Sequence, residues 1–198
     1  MKQKTMKFGW IPLALVAALG LSSCGYNTMI AGDEAVKAAW AQVQNQYQRR
    51  YDLIPNLVET VKATGKYEKE TLQGVVDARS RMGGVINLPP DAVNNPELMK
   101  KYQEAQNGLG SALQRLMVVN EQYPQLQGVT AYRDLMAQLE GTENRIAVER
   151  MRFNETVQRY NTSVRTFPNN LTAMMFKFQT AVPFAAGEAA KEAPKVKF

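Results

Sequence analysis

Apolar residues in this chain recur three and four positions apart over long stretches, and no segment alternates apolar with polar as a half-buried strand does. That period lines side chains along one face of a helix, so the chain is committed to helices that bury a stripe. The first stripe reads Val36, Trp40, Val43, Tyr47, Arg50/Tyr51, Ile54, Leu57/Val58 and Val61, with Asp33 after Gly32 as the expected N-cap. Pro55 lies inside it. An interior proline loses one backbone hydrogen bond and crowds the preceding turn, but the stripe crosses it unchanged, which predicts a kink and not a stop. Gly65 marks either a bend or a corner, beyond which Leu72, Val75/Val76, Arg79 and Met82 continue the pattern.

Residues 81–95 hold Gly83-Gly84, Pro89-Pro90 and Asn94-Asn95, a cluster that breaks helices. Asn95 followed by Pro96 is a favoured helix start. The third stripe is Leu98, Tyr102, Ala105, Leu109, Ala112/Leu113, Leu116, Val119/Asn120 and Tyr123, ended by Pro124. Gly108 and Gly110 inside it predict close helix packing. Thr130 is the expected cap of the last long helix, whose stripe runs Tyr132, Leu135/Met136, Leu139, Glu143, Ile146, Arg150, Phe153, Val157, Tyr160, Val164 and Phe167, ended by Pro168. Long amphipathic helices on short links pack as an all-α antiparallel bundle of the four-helix type. The bundle is expected over 33–184. The small and charged residues of 185–198 predict a tail without fixed structure.

The first 24 residues read differently. Lys2, Lys4 and Lys7 precede an apolar run from Phe8 to Leu21, followed by Leu21-Ser22-Ser23-Cys24. A basic start, a short apolar run and small residues describe a secretory signal, here 1–23. The run is shorter than the about 20 apolar residues of a transmembrane helix. The Leu-Ser-Ser-Cys order resembles a bacterial lipobox, in which the cysteine is lipidated and becomes the first mature residue. Cys24 is then the lipidation site, and 24–32 a lipid-anchored linker holding the domain outside the cytoplasm, at an outer membrane if the source has one. The competing reading is an uncleaved anchor helix with an incidental cysteine.

There is no histidine, and Cys24 is the single cysteine. Catalytic pairs that need histidine, most zinc and haem sites, and an intrachain disulfide are therefore excluded. Without the leader lysines the formal charge falls from +6 to +3, as 21 basic against 18 acidic residues. That is too weak for a nucleic-acid surface. No phosphate loop, dinucleotide fingerprint, hydrolase elbow or calcium loop is present, and no cofactor or metal is expected.

Polar residues interrupt the stripes. Arg50 lies on the first; Glu143 and Arg150, two helical turns apart, lie on the last. They form either a ligand or proton site between helices or an ion-pair layer that sets helix register. Asn154, Asn161 and Asn170 begin Asn-x-Ser/Thr triplets, which carry no glycan in a bacterial lipoprotein and are read as chance. Met174-Met175-Phe176-Lys177-Phe178, with Val182 and Phe184, is either an exposed apolar patch for a partner or membrane or a short helix closing the bundle.

Several segments resemble the LemA family of bacterial envelope proteins. They are Tyr26-Asn27, Ala39-Trp40-Ala41-Gln42-Val43, the run from Gln46 to Val58 through Arg50-Tyr51-Asp52-Leu53-Ile54-Pro55-Asn56, Tyr123-Pro124-Gln125-Leu126, Gly141-Thr142-Glu143-Asn144-Arg145-Ile146-Ala147, Arg152-Phe153-Asn154, Tyr160-Asn161 and Phe167-Pro168. The resemblance implies a tethered helical bundle outside the inner membrane, with no known enzymatic activity and no accepted cofactor. It assigns no catalytic residue. Arg50, Asp52, Glu143, Asn144 and Arg150 stand as candidates for a structural or recognition layer. The expected function is a membrane-anchored, non-catalytic interaction or scaffold module with an envelope protein partner. The alternative is a small-ligand binding protein using that layer.

Overall fold

A computed structural model describes residues 10–63, 65, 69–120 and 128–185, with side chains from residue 25 onward except at 119 and 120. Five α-helices and one 3-10 turn are present, and no strand occurs among the described residues. They are α1 (Trp10–Ala63), α2 (Lys69–Met82), the 3-10 turn Pro90–Asn94, α3 (Pro96–Asn120), α4 (Thr130–Arg165) and α5 (Asn169–Phe176).

The spine is α1 against α4. Gly32 meets the Tyr160 ring, Trp40 stacks near Phe153, and Arg50 reaches Glu143, so the two helices run antiparallel. α1 ends at Ala63, and Gly65 takes a left-handed φ of +66° with its N–H bonded to the Lys62 carbonyl at 3.1 Å. Gly65 is thus a corner, and glycine is the residue that adopts this φ without steric cost. α2 folds back along α1, burying Leu72 and Val75 in one cluster with Ile54, Leu57 and Val61. Gln44 Nε2 donates to the Leu88 carbonyl at 2.9 Å, tying the following turn back to α1. α3 then runs beside α1 in the same direction, with Tyr102 against Trp40 and Tyr47. The outcome is an up-down-up-down all-α bundle.

Local signals hold at several ends. The Asn95 Oδ1 accepts from the Glu97 and Leu98 amides at 3.0 and 3.1 Å, capping α3 ahead of Pro96. α1 continues through Pro55, as the unbroken stripe requires. α4 stops at Arg165, ahead of Pro168.

Other ends differ from the sequence expectation. α1 does not begin at Asp33; it runs unbroken from Trp10. Met29 is fully buried with Val36 and Tyr160, so the apolar period extends back through the segment expected to be a linker. Gly32, expected just ahead of the helix start, is instead a point of close approach inside the helix. A Cβ there would lie 2.9 Å from Tyr160 Cδ2. Asp33 does not cap; it pairs with Lys37 one turn on at 2.8 Å. Thr130 is the first residue of α4, after an extended Val129 that makes no side-chain cap. Gly108 does not mark close packing, because a Cβ added to it meets nothing within 4 Å. Phe167, expected to extend the last stripe, is 74% exposed, since the helical period ends where Thr166 turns extended. Ala185, expected to begin the unstructured tail, is instead held at both its amide and its carbonyl; the expected end of the third stripe at Tyr123 and Pro124, and the rest of the tail, 186–198, lie outside the described residues.

After α5, Lys177 adopts a left-handed conformation (φ +58°) and the Phe178 amide bonds back to the Ala173 carbonyl at 3.0 Å. This helix-ending turn sends residues 178–185 back along α4 as an extended strap.

Candidate functional site

Two apolar clusters fill the bundle. The first holds Trp40, Val43, Tyr47, Tyr102, Ile146 and Phe153, and the second holds Ile54, Leu57, Leu109, Leu113 and Leu139. The boundary between them is polar on three helices at once. Arg50 lies between Tyr47 and Ile54 on α1, Gln106 between Tyr102 and Leu109 on α3, and Thr142 and Glu143 between Leu139 and Ile146 on α4. Arg50, Gln106 and Thr142 are the buried polar residues of the described core.

Arg50 organises this stratum. Its Nη1 donates to Glu143 Oε1 at 2.9 Å, while Nη2 donates to the Gln106 carbonyl at 3.1 Å and to Gln106 Oε1. The guanidinium also sits 5.0 Å from the Tyr47 ring centroid, within cation–π range. Arg50 is 3% exposed, whereas the Glu143 side chain is 38% exposed. The pair therefore has one dry end and one wet end. Thr142 closes its own hydroxyl on the Gln138 carbonyl at 2.7 Å. Arg50 Nε, Gln106 Nε2 and the Tyr102 hydroxyl are buried without a hydrogen-bond partner. Burial pushes the Tyr47 and Tyr102 hydroxyls above the ordinary tyrosine range, with Arg150 and Arg50 pulling Tyr47 partly back.

The expected site residues separate into groups. Arg50 and Glu143, 93 positions apart, meet. Arg150 does not join them as an ion-pair partner. Its Nη2 donates to the Ala185 carbonyl at 3.1 Å, and its guanidinium lies 4.8 Å from the Phe184 ring. Asp52 is exposed and accepts from Gln48 Nε2 at 2.7 Å. Asn144 is exposed on α4. Cys24 lies in the backbone of α1, with its side chain outside the described residues. Gln106 was missing from the expected layer. The third stripe is Met99, Tyr102, Gln106, Leu109 and not Leu98, Tyr102, Ala105, Leu109. Both spacings are helical, and a polar residue at the buried phase is what the composition of the stripe hides.

The strap is the second construction. Asn161 Nδ2 donates to the Ala181 carbonyl at 2.8 Å, and its Oδ1 accepts from the Ala181 amide at 2.9 Å. Asn154 does the same for Phe184, at 3.1 and 2.8 Å. Each carboxamide pairs with a backbone unit as a neighbouring strand would. Gln103 Oε1 accepts from the Ala185 amide, and the Val182 amide bonds to the Val93 carbonyl. Phe184 is thereby set among Trp40, Tyr47 and Phe153. Asn154 and Asn161, each opening a chance-like triplet, are the clamps of this strap.

An open cleft of about 730 Å³ lies between α2 and α3, floored by Gly74, Ala78, Gly108 and Ala112 and edged by Lys101 and Arg115. Among the described residues no group of three or more acidic, cysteine or histidine side chains could hold a metal. No described helix is long and apolar enough to cross a membrane.

The fold and the layer define a class: an antiparallel helical bundle whose two apolar cores meet at one buried, paired arginine. A family model described as the LemA family matches residues 39–198, and the chain belongs to that family. It is similar to the magnetosome proteins MamQ 1 and MamQ 2 of Paramagnetospirillum magneticum strain AMB-1. Each is 29% identical over 191 residues, covering 87% of this chain and 69% of the relative. Magnetosome protein MamQ of Magnetospirillum gryphiswaldense strain MSR-1 is 28% identical over 186 residues, covering 84% and 67%.

Proposed function

We propose that this LemA-family protein is held at a bacterial envelope membrane by lipid on Cys24, and that its bundle acts there as a non-catalytic interaction or scaffold module. The observation that carries the reading is how Arg50 is paired in the polar layer. Both terminal nitrogens of Arg50 are occupied by Glu143 and Gln106, so the charges that a binding site would need are engaged with one another. A buried charge held this way costs desolvation and gives register in return, which fits a structural interior and leaves the outer surface to do the work. The Leu21-Ser22-Ser23-Cys24 order supports the lipid anchor. The relatives' name attaches them to a cell structure, the magnetosome, which fits a structural module better than a soluble catalyst.

Cys24→Ser is expected to abolish fatty-acid labelling and block normal maturation; unchanged processing removes the lipid anchor from the proposal. In-cell crosslinking, followed by purification from solubilised membranes, is expected to recover one reproducible partner. That partner should be lost when an exposed bundle face is changed and the fold is kept. Recovery of nothing, together with a rise in melting temperature caused by one metabolite from a broad panel, would favour the small-ligand reading. Turnover by the purified protein that disappears on Glu143→Gln would overturn the non-catalytic reading.

A further inference from the structure

α5 settles beside the N-terminal part of α1 and covers it only in part. Ala173 is buried against the core, the Tyr26 ring lies 4.7 Å from Phe176 and 5.9 Å from Phe178, and a Cβ at Gly25 would touch Asn169 Oδ1. The inner face of α5 therefore closes the bundle. Its outer face does not. Leu171, Met174 and Met175, spaced three and four apart and hence on one side of the helix, are exposed together with Phe167 and Phe176, each between 52% and 78%. Ile30, one turn along α1 from Tyr26, is also exposed. A monomeric surface rarely gathers this many large apolar side chains without a use.

Position and charge say what covers them. α5 lies level with residues 25–26 of α1, directly beside Cys24, the residue proposed to carry the lipid. At 1.5 Å per residue, the lipid attachment lies within about 3 Å of the α5 contact along the helix axis. From 165 to 185 the chain carries Arg165 and Lys177 and no acid, and from 25 to 32 it carries no charge at all. An apolar face rimmed by basic residues, at the end of the bundle that carries Cys24, has the chemistry of a segment lying in a membrane interface.

We propose that the outer face of α5 beds on the anionic surface of the membrane that holds the lipid on Cys24, so that the bundle stands on that membrane by two contacts. Continuity supports this: α1 is helical on both sides of Cys24 and Met29 is buried, so no slack separates anchor from bundle. The inference rests on the membrane attachment proposed above.

The test uses the full chain in vesicles of phosphatidylglycerol and phosphatidylcholine, with and without bromine on the acyl chains. Met175→Trp reports from the α5 face and Ala137→Trp, exposed on α4 far from α5, is the control; each is read as the difference from the parent. Interfacial segments sit about 5–10 Å below the headgroups, within reach of the bromines. The added Met175→Trp emission is expected to shift to the blue and to lose about half its intensity in brominated vesicles, while the Ala137→Trp emission is unchanged. Adding Leu171→Asp, an exposed position, is expected to restore the emission while the protein still sediments with the vesicles. Protein that sediments with an unquenched Met175→Trp signal overturns the docking and leaves the anchor standing. Protein that stays in the supernatant refutes both. A blue shift without bromine quenching, with a doubled mass in detergent, assigns the face to a second copy and overturns the proposal.

Discussion

Replacing Arg50 tests the account of the layer most directly. In Arg50→Met the aliphatic stem and its packing are largely kept, but three hydrogen bonds from the guanidinium are lost. The Gln106 carbonyl loses its side-chain donor and the Gln106 Oε1, 2% exposed as a residue, loses its partner. Each hydrogen bond from a charged group is worth about 1.5–3 kcal/mol, offset by no longer desolvating the guanidinium. The charge left behind, on Glu143, is partly solvated, so the cost comes from the buried Gln106 acceptors left unsatisfied, and the expectation for Arg50→Met is about 2–3 kcal/mol. Glu143→Gln should cost less, about 1–2 kcal/mol, because Glu143 is over a third exposed and an amide oxygen can still accept from Nη1. The triple change Arg50→Met, Gln106→Leu and Glu143→Met should recover most of the loss, since apolar replacement of a whole buried polar set is often neutral. Urea unfolding in mild detergent reads all three as shifts in midpoint at constant slope. An Arg50→Met loss below about 1 kcal/mol, or a triple variant worse than the single one, would falsify the reasoning that Arg50 is a buried charge engaged at both terminal nitrogens.

Three further outcomes are expected. Asn161→Ala and Asn154→Ala should each remove two strap hydrogen bonds at about 1–3 kcal/mol, and speed amide exchange at Ala181 and Phe184 respectively; unchanged exchange there would contradict the clamp. Gly32→Ala drives a Cβ to 2.9 Å from the Tyr160 ring, so a loss of about 1–3 kcal/mol is expected in thermal unfolding, where Gly74→Ala, with open space around it, should stabilise. Stability should also fall in strong base. Burial first, then Asp33, pushes Tyr160 up to about 12, and burial raises Tyr47, Tyr102 and Tyr132. Above pH 10 the unfolded chain loses phenolic protons that the native chain keeps. The stabilisation is therefore complete below about pH 10 and declines toward pH 12, by about 1.4 kcal/mol per pH unit for each such tyrosine. Urea midpoints that stay flat across that window, with tyrosine ionisation followed by absorbance, would show the rings are not protected.

What the sequence determined by itself is local in origin. Helix period, the Asn95-Pro96 start, and the breaks at 81–95 and Pro168 all depend on residues within a few turns of one another, and these place an all-α bundle and its family. That Arg50 has a partner was also implied, because a charge on a buried stripe must find one. Which partner was not. Arg50 and Glu143 lie 93 positions apart, and only the antiparallel register of α1 on α4, with α3 alongside, sets Gln106 against the same guanidinium while turning Arg150 to the strap. The strap has no period to read, because an extended segment clamped by two asparagines draws its order from α4 and not from itself. Gly32 carries the same lesson. As a residue it suggests only the approach to a helix start at Asp33, and only the Tyr160 ring packed against it makes it a point of contact inside a helix that runs from Trp10, where a linker was expected. The face of α5 was ambiguous for the same reason: burial of Ala173 and exposure of Met174 and Met175 follow from where the helix lands on α1, a non-local fact that no window of sequence contains.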